Sequence, residues 1–241
     1  MLELTRNCFA VDAYGPEERS IFLPPPIGQI VCTKNPQDVL VMRRVLPLMP
    51  QLHAIVMLRD PRDIVVSVHA KDDARYWTNL RIWREYHRAA MRLEGHPRVL
   101  MIHYEDLVRA PAETQATIAR ALPFLRPTSR FEEFHLTARP SCESQQALGG
   151  LRPPDVASIG RWRVHKERLA GQLRIHGPIT RELIELGYER DDAWLGALDG
   201  VVPDDAASHW PEHRPLRQRA LRDARVWVQV AKLAMRRTLD R

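Results

Sequence analysis

The sequence predicts an α/β protein, a three-layer α/β/α arrangement around a mainly parallel sheet followed by a C-terminal amphipathic helix, and three observations predict it. Strand and helix signals alternate as β-α-β-α-β-α between residues 28 and 122. The strand at 53–58, His-Ala-Ile-Val-Met-Leu, is almost continuously apolar, as expected where helices cover both faces of a parallel sheet. With 44% hydrophobic and 27% charged residues over 241 positions, the composition is globular, which excludes fibrous, collagen-like and wholly disordered classes.

The elements follow in order. Residues 1–26 form a lead-in ending in Phe22-Leu23-Pro24-Pro25-Pro26, where proline removes donors and fixes φ. A strand at 28–33 closes at Asn35-Pro36, and Asp38 caps a helix carrying Val39, Leu40, Met42, Val45 and Leu46. After the strand at 53–58, Asp60 caps and Pro61 opens a helix through Ser67. Leu80, Trp83, His87 and Met91 recur at helical spacing within 77–94, and Gly95-His96-Pro97 stops that helix. A third strand at 98–103 precedes a helix at 112–122. Residues 126–160 are rich in Pro, Ser and Gly and read as loop, the expected substrate-facing insert. A helix at 178–186 ends with Gly187 at C′, and a linker follows from 199. Leu216, Ala220, Ala224, Trp227, Val228, Ala231, Met235 and Leu239 line one face of a basic terminal helix, expected to dock on its own domain, on an anionic membrane or on a partner helix. The domains are therefore 1–26, lead-in; 27–198, α/β domain; and 199–241, linker and helix.

Thirty-six basic residues against thirty acidic ones give a net charge of +6 and a pI near 9.6, which suits an anionic partner. Thirty-two of the thirty-six are arginines, whose planar forks favour bidentate phosphate or sulfate contacts. The arginines are dispersed and no nucleic-acid-binding module is recognisable, so no specific nucleic-acid partner is expected. Cys8, Cys32 and Cys142 match neither a metal knuckle nor a redox pair, and no metal is expected. The chain shows no apolar run of membrane-spanning length and no secretory leader, so a cytoplasmic location is expected.

The chemistry concentrates in Leu58-Arg59-Asp60-Pro61-Arg62-Asp63-Ile64-Val65-Val66-Ser67, which sets a guanidinium at a strand end and a hydroxyl eight positions on. Both can face one anion, although spacing alone fits an ordinary capped turn equally well. Arg-Asp-Pro-Arg-Asp, three apolar residues and Ser after a buried strand resembles the 3′-phosphate-binding motif of sulfotransferases that use 3′-phosphoadenosine 5′-phosphosulfate (PAPS). Tyr104-Glu105-Asp106-Leu107 and Ser158-Ile159-Gly160-Arg161-Trp162-Arg163 resemble two further segments of that family, in its order. The resemblance implies a P-loop-like sulfotransferase fold with PAPS as co-substrate. Arg59 and Ser67 would hold the 3′-phosphate, while Ser158, Gly160 and Arg161 would lie at the donor phosphates with Trp162 packed behind. Asp60, Pro61 and Asp63 would shape the turn, with Arg62 peripheral. Lys34, after the preceding strand, matches the position where related enzymes carry Lys or His near the transferred group. A solvated surface lysine fits it equally, and the general base is unassigned.

The family's opening Gly/Ser/Thr-rich loop for the 5′-phosphosulfate is not found, so the first βα unit is expected to be missing. Two functions follow as expectations. The chain is a PAPS-dependent sulfotransferase acting on a hydroxyl or amine of a small molecule, carbohydrate or lipid, or it is a truncated or degenerate relative serving as a non-catalytic nucleotide or polyanion-binding module.

Overall fold

The computed structural model describes residues 12–14, 30–69, 72–137, 153–213 and, in the tail, 224, 227, 228, 230–232, 234 and 235. The chain divides into two compact units, the first made of residues 1–57, 88–154 and 214–241 and the second of 58–87 and 155–213. The whole is mixed helix and strand with a small parallel sheet.

In the first unit, β1 (Asp12–Tyr14) pairs in parallel with β2 (Val31–Thr33). β1 falls inside the segment read as a lead-in, because three residues are too few for periodicity to register and their strand character comes from the partner. Helix α1 (Val39–Val45) begins without the expected Asp38 cap. Asn35, held extended before Pro36, caps a 3-10 turn at Pro36–Asp38, and Asp38 is already helical at φ −63°. β3 (Ala54–Leu58) is hydrogen-bonded to β6 (Val99–His103). Helices α4 (Tyr104–Arg109) and α5 (Pro111–Ala121) follow β6, and α6 (Phe134–Thr137) lies within the 126–160 segment. Residues 138–152 of that expected loop lie outside the described residues.

Alternate residues of β3 and β6 enter two different cores, as the period of two requires. Ile55, Met57, Leu100 and Ile102 pack with Leu107 and Ile118 from α4 and α5, while Ala54, Val56, Val99 and Met101 pack with Val41, Met42 and Val45 from α1. Both faces are apolar, which explains the uninterrupted run at 53–58.

The tail departs from its expected packing. The described tail residues are helical, but the side chain that enters the α1 core is Val230. Trp227, Val228 and Met235, assigned by spacing to the docking face, are exposed. The full span 216–239 lies partly outside the described residues.

The second unit holds α2 (Pro61–Val65), the antiparallel pair β4 (Val68–His69) and β5 (Asp72–Tyr76), the start of α3 (Leu80–Met91), α7 (Lys166–His176) and α8 (Thr180–Glu185). Asp60 caps α2 as expected, its carboxylate accepting from the Arg62 N–H at 2.9 Å. The helix stops at Val65 rather than reaching Ser67. Ile64, Val65 and Val66 are β-branched and crowd a helix, and the chain turns at Val66 into β4. The core gathers Val65, Val66, Leu80, Trp83, Trp162, Leu169, Ile179, Leu183 and Trp194.

Candidate functional site

The site in the second unit starts from α2. Its opening turn carries four charged residues in five positions, and three of them are buried: Asp60, Arg62 and Asp63 are 6%, 3% and 2% exposed. Charges at that depth persist only when paired. Arg62 forks onto Asp60, with Nη2 to Oδ2 at 2.7 Å and Nε to both carboxylate oxygens at 3.0 and 3.1 Å. It also donates to Glu189 through Nη1. Its guanidinium stacks 4.5 Å from the Trp162 ring centre and 5.1 Å from that of Trp194. Burial pulls the Arg62 pKa down, but Asp60 and Glu189 outweigh it and raise it above the ordinary arginine value. The expectation that Arg62 is peripheral is thus corrected: it is the hub of the turn.

Asp63 ties that turn to the late segment. Its two carboxylate oxygens accept from the Gly160 N–H at 2.7 Å and the Trp162 N–H at 3.0 Å. Burial pushes its pKa up, the two N–H groups pull it back, and the result lies above the ordinary aspartate value. Arg59 adds a second tie, donating from Nη2 to the Ser158 carbonyl at 2.8 Å. Segments 97 to 99 positions apart are therefore joined by three hydrogen bonds.

The late segment is shaped locally to be held this way. Asp155 caps a 3-10 turn at Val156–Ser158, and the Ser158 hydroxyl donates back to the Asp155 carbonyl. Gly160 then turns left-handed at φ 75°, a backbone conformation that L side chains rarely adopt, so the turn favours glycine. Trp162 is buried at 2% exposure, edge-on to Trp194, and Arg163 lies 4.6 Å over the Trp162 ring. The Arg161 side chain, between Gly160 and Trp162 in sequence, is exposed.

The structure thus joins Arg59, Ser158 and Gly160 in one unit, with Arg161 beside them on the surface. Ser67, beyond the end of α2, donates its hydroxyl to the Asp63 carbonyl at 3.1 Å. Lys34 belongs to the other unit, exposed just after β2. Sequence reasoning missed the roles of Arg62, Asp63 and Glu189. The density of charge next to a buried strand was a signal that the charges must pair internally; nothing local pointed to Glu189, 127 positions from Arg62. Among the described residues, no group of three or more His, Cys, Asp or Glu side chains is placed to hold a metal, and no helix is long and apolar enough to cross a membrane.

Residues 18–124 match the model of the sulfotransferase family, and this segment is therefore similar to sulfotransferases. The match spans the strand-helix alternation, the Arg59 to Ser67 motif and Tyr104 to Leu107, and it ends before the late Ser158 to Arg163 segment. It points to a transferase, and to sulfuryl transfer in general. No curated protein and no solved structure matches the chain.

Proposed function

We propose that the protein is a sulfotransferase that moves the sulfuryl group of PAPS to a hydroxyl or amine of a small-molecule, carbohydrate or lipid acceptor. The observation that carries this reading is the junction of the two donor-binding segments suggested by sequence: Arg59 on the Ser158 carbonyl and Asp63 on the Gly160 and Trp162 amides. In this reading Arg59 and Ser67 hold the 3′-phosphate, and Ser158, Gly160 and Arg161 address the donor's other phosphates. The acceptor oxygen or nitrogen attacks sulfur, the bond from sulfur to the 5′-phosphate oxygen breaks, and the acceptor proton leaves to a base or to water. Adenosine 3′,5′-bisphosphate departs. Lys34 is assigned to the charge on the leaving phosphate by the resemblance of its sequence position alone. The two faces of β3 and β6 support the three-layer sheet expected of the fold, and the helical tail residues support the terminal helix.

The test is calorimetry with adenosine 3′,5′-bisphosphate. Arg59→Ala is expected to weaken binding by about 1.5–3 kcal/mol, the worth of a charge-assisted hydrogen bond. Unchanged affinity would remove the site. Transfer from labelled donor then separates the enzyme from the second reading, a non-catalytic nucleotide-binding module, which the unfound 5′-phosphosulfate loop favours.

A further inference from the structure

The helical tail of the first unit turns one side inward and leaves an apolar side in solvent. Val230, 8% exposed, joins Val41 and Val45 in the α1 core. Trp227, Val228 and Met235 are 55%, 53% and 58% exposed, with Ala224 and Ala231 exposed beside them. Exposed aromatic and aliphatic side chains clustered in this way mark a contact surface. The charge of the segment is mostly positive. Arg44 stacks 4.3 Å over the Trp227 ring, and Arg43, Arg44 and Lys232 are exposed. Residues 214–241 contain nine Arg or Lys against only Asp223 and Asp240.

We propose that this face docks on an anionic lipid surface, with Trp227, Val228 and Met235 entering the headgroup boundary and Arg43, Arg44 and Lys232 meeting lipid phosphates. An aromatic and aliphatic strip flanked by cations is what an interfacial helix presents. A second copy of the chain fits less well, because a two-fold contact would bring one basic tail against another. The self-docked position is already taken by Val230.

Sedimentation with extruded vesicles tests this on the full chain. Vesicles of phosphatidylcholine containing phosphatidylglycerol are expected to carry the protein down, with a blue shift in tryptophan emission, whereas pure phosphatidylcholine leaves it in solution. Trp227→Ser with Met235→Ser is expected to lower partitioning about tenfold or more. Arg43→Gln with Arg44→Gln and Lys232→Gln is expected to lower it and flatten its salt dependence. All these side chains are exposed, so thermal melting should match the parent; Met235→Ser alone is the second probe if the double variant melts early. Absence of sedimentation overturns the proposal. So does binding that survives loss of Trp227 and Met235, which would be bare attraction between polyions, and so does a concentration-dependent dimer that the same variant abolishes.

Discussion

Asp63 does two things that pull its chemistry in opposite directions. It is among the most buried charged groups described in the protein, and it is also an acceptor for two backbone amides nearly a hundred positions away. Burial disfavours the carboxylate, whereas the Gly160 and Trp162 N–H groups favour it. A neutral amide of the same size cannot accept from both, because one of its two heads is itself a donor. Asp63→Asn is therefore expected to lower stability by about 1–3 kcal/mol, the cost of an unsatisfied buried donor. On the proposed assignment it is also expected to weaken adenosine 3′,5′-bisphosphate more than adenosine 5′-phosphate, because the Asp63 carbonyl anchors the Ser67 hydroxyl and the loop that Asp63 holds carries the Ser158 carbonyl that orients Arg59, the two groups assigned to the 3′-phosphate. Denaturant titration and calorimetry read the two effects, and equal losses for both nucleotides would make Asp63 purely structural.

At the scale of elements, α2 is only five residues long and has too few internal hydrogen bonds to stand alone. Its stability comes from outside: the Asp60 cap, the side chains of Val65 and Val66 in the core, and Arg62 bridging Asp60, Glu189 and two indoles. Lysine keeps the charge but loses the planar fork and the stacking. Arg62→Lys is expected to cost about 2–4 kcal/mol, near the range for breaking a buried ion pair, with thermal melting as the check. A melt within a degree of the parent would show that Glu189 and the indoles contribute little. The Arg-Asp-Pro-Arg-Asp run announced a tight turn and its cap in the sequence. The length of α2, the β4–β5 pair after it and the role of Arg62 were not legible, because each depends on partners supplied by distant segments.

At the scale of the second unit as a whole, its last stretch is locked to α7 through one carboxylate. Glu212 accepts from Ser208 at 2.6 Å and from Gln172 at 3.3 Å, and it also meets His176 Nε2 at 2.7 Å and the Arg168 guanidinium at 3.8 Å. Arg168, 1% exposed, donates to the same Ser208 hydroxyl at 2.6 Å and to the Ala206 carbonyl at 2.9 Å. Burial pushes the Glu212 carboxyl up, but the hydrogen bonds from His176, Ser208 and Gln172 and the charge of Arg168 bring it down to about 2 from 4.5. A carboxyl whose pKa is lower folded than unfolded contributes stability that is fully present above 4.5 and is lost as pH falls toward 2. Thermal melts of the full chain are therefore expected to fall across that window, and Glu212→Gln to make the fall shallower. An identical slope would place the acid sensitivity elsewhere.

The sequence alone determined the alternation of strands and helices, the apolar strand between two cores, the Asp60 cap and the resemblance of three short segments to sulfotransferases. These are local: hydrophobic period, capping chemistry and turn residues are written within about ten positions of where they act. The tertiary structure decided which charges are buried, that Asp63 and Arg59 hold the late loop, that Arg62 is a hub, and that the tail docks through Val230 while Trp227 faces solvent. Those outcomes depend on groups 97 to 127 positions apart and on which face of an amphipathic helix meets a core. Burial and pairing of charge are properties of the assembled fold, and no window of sequence contains them.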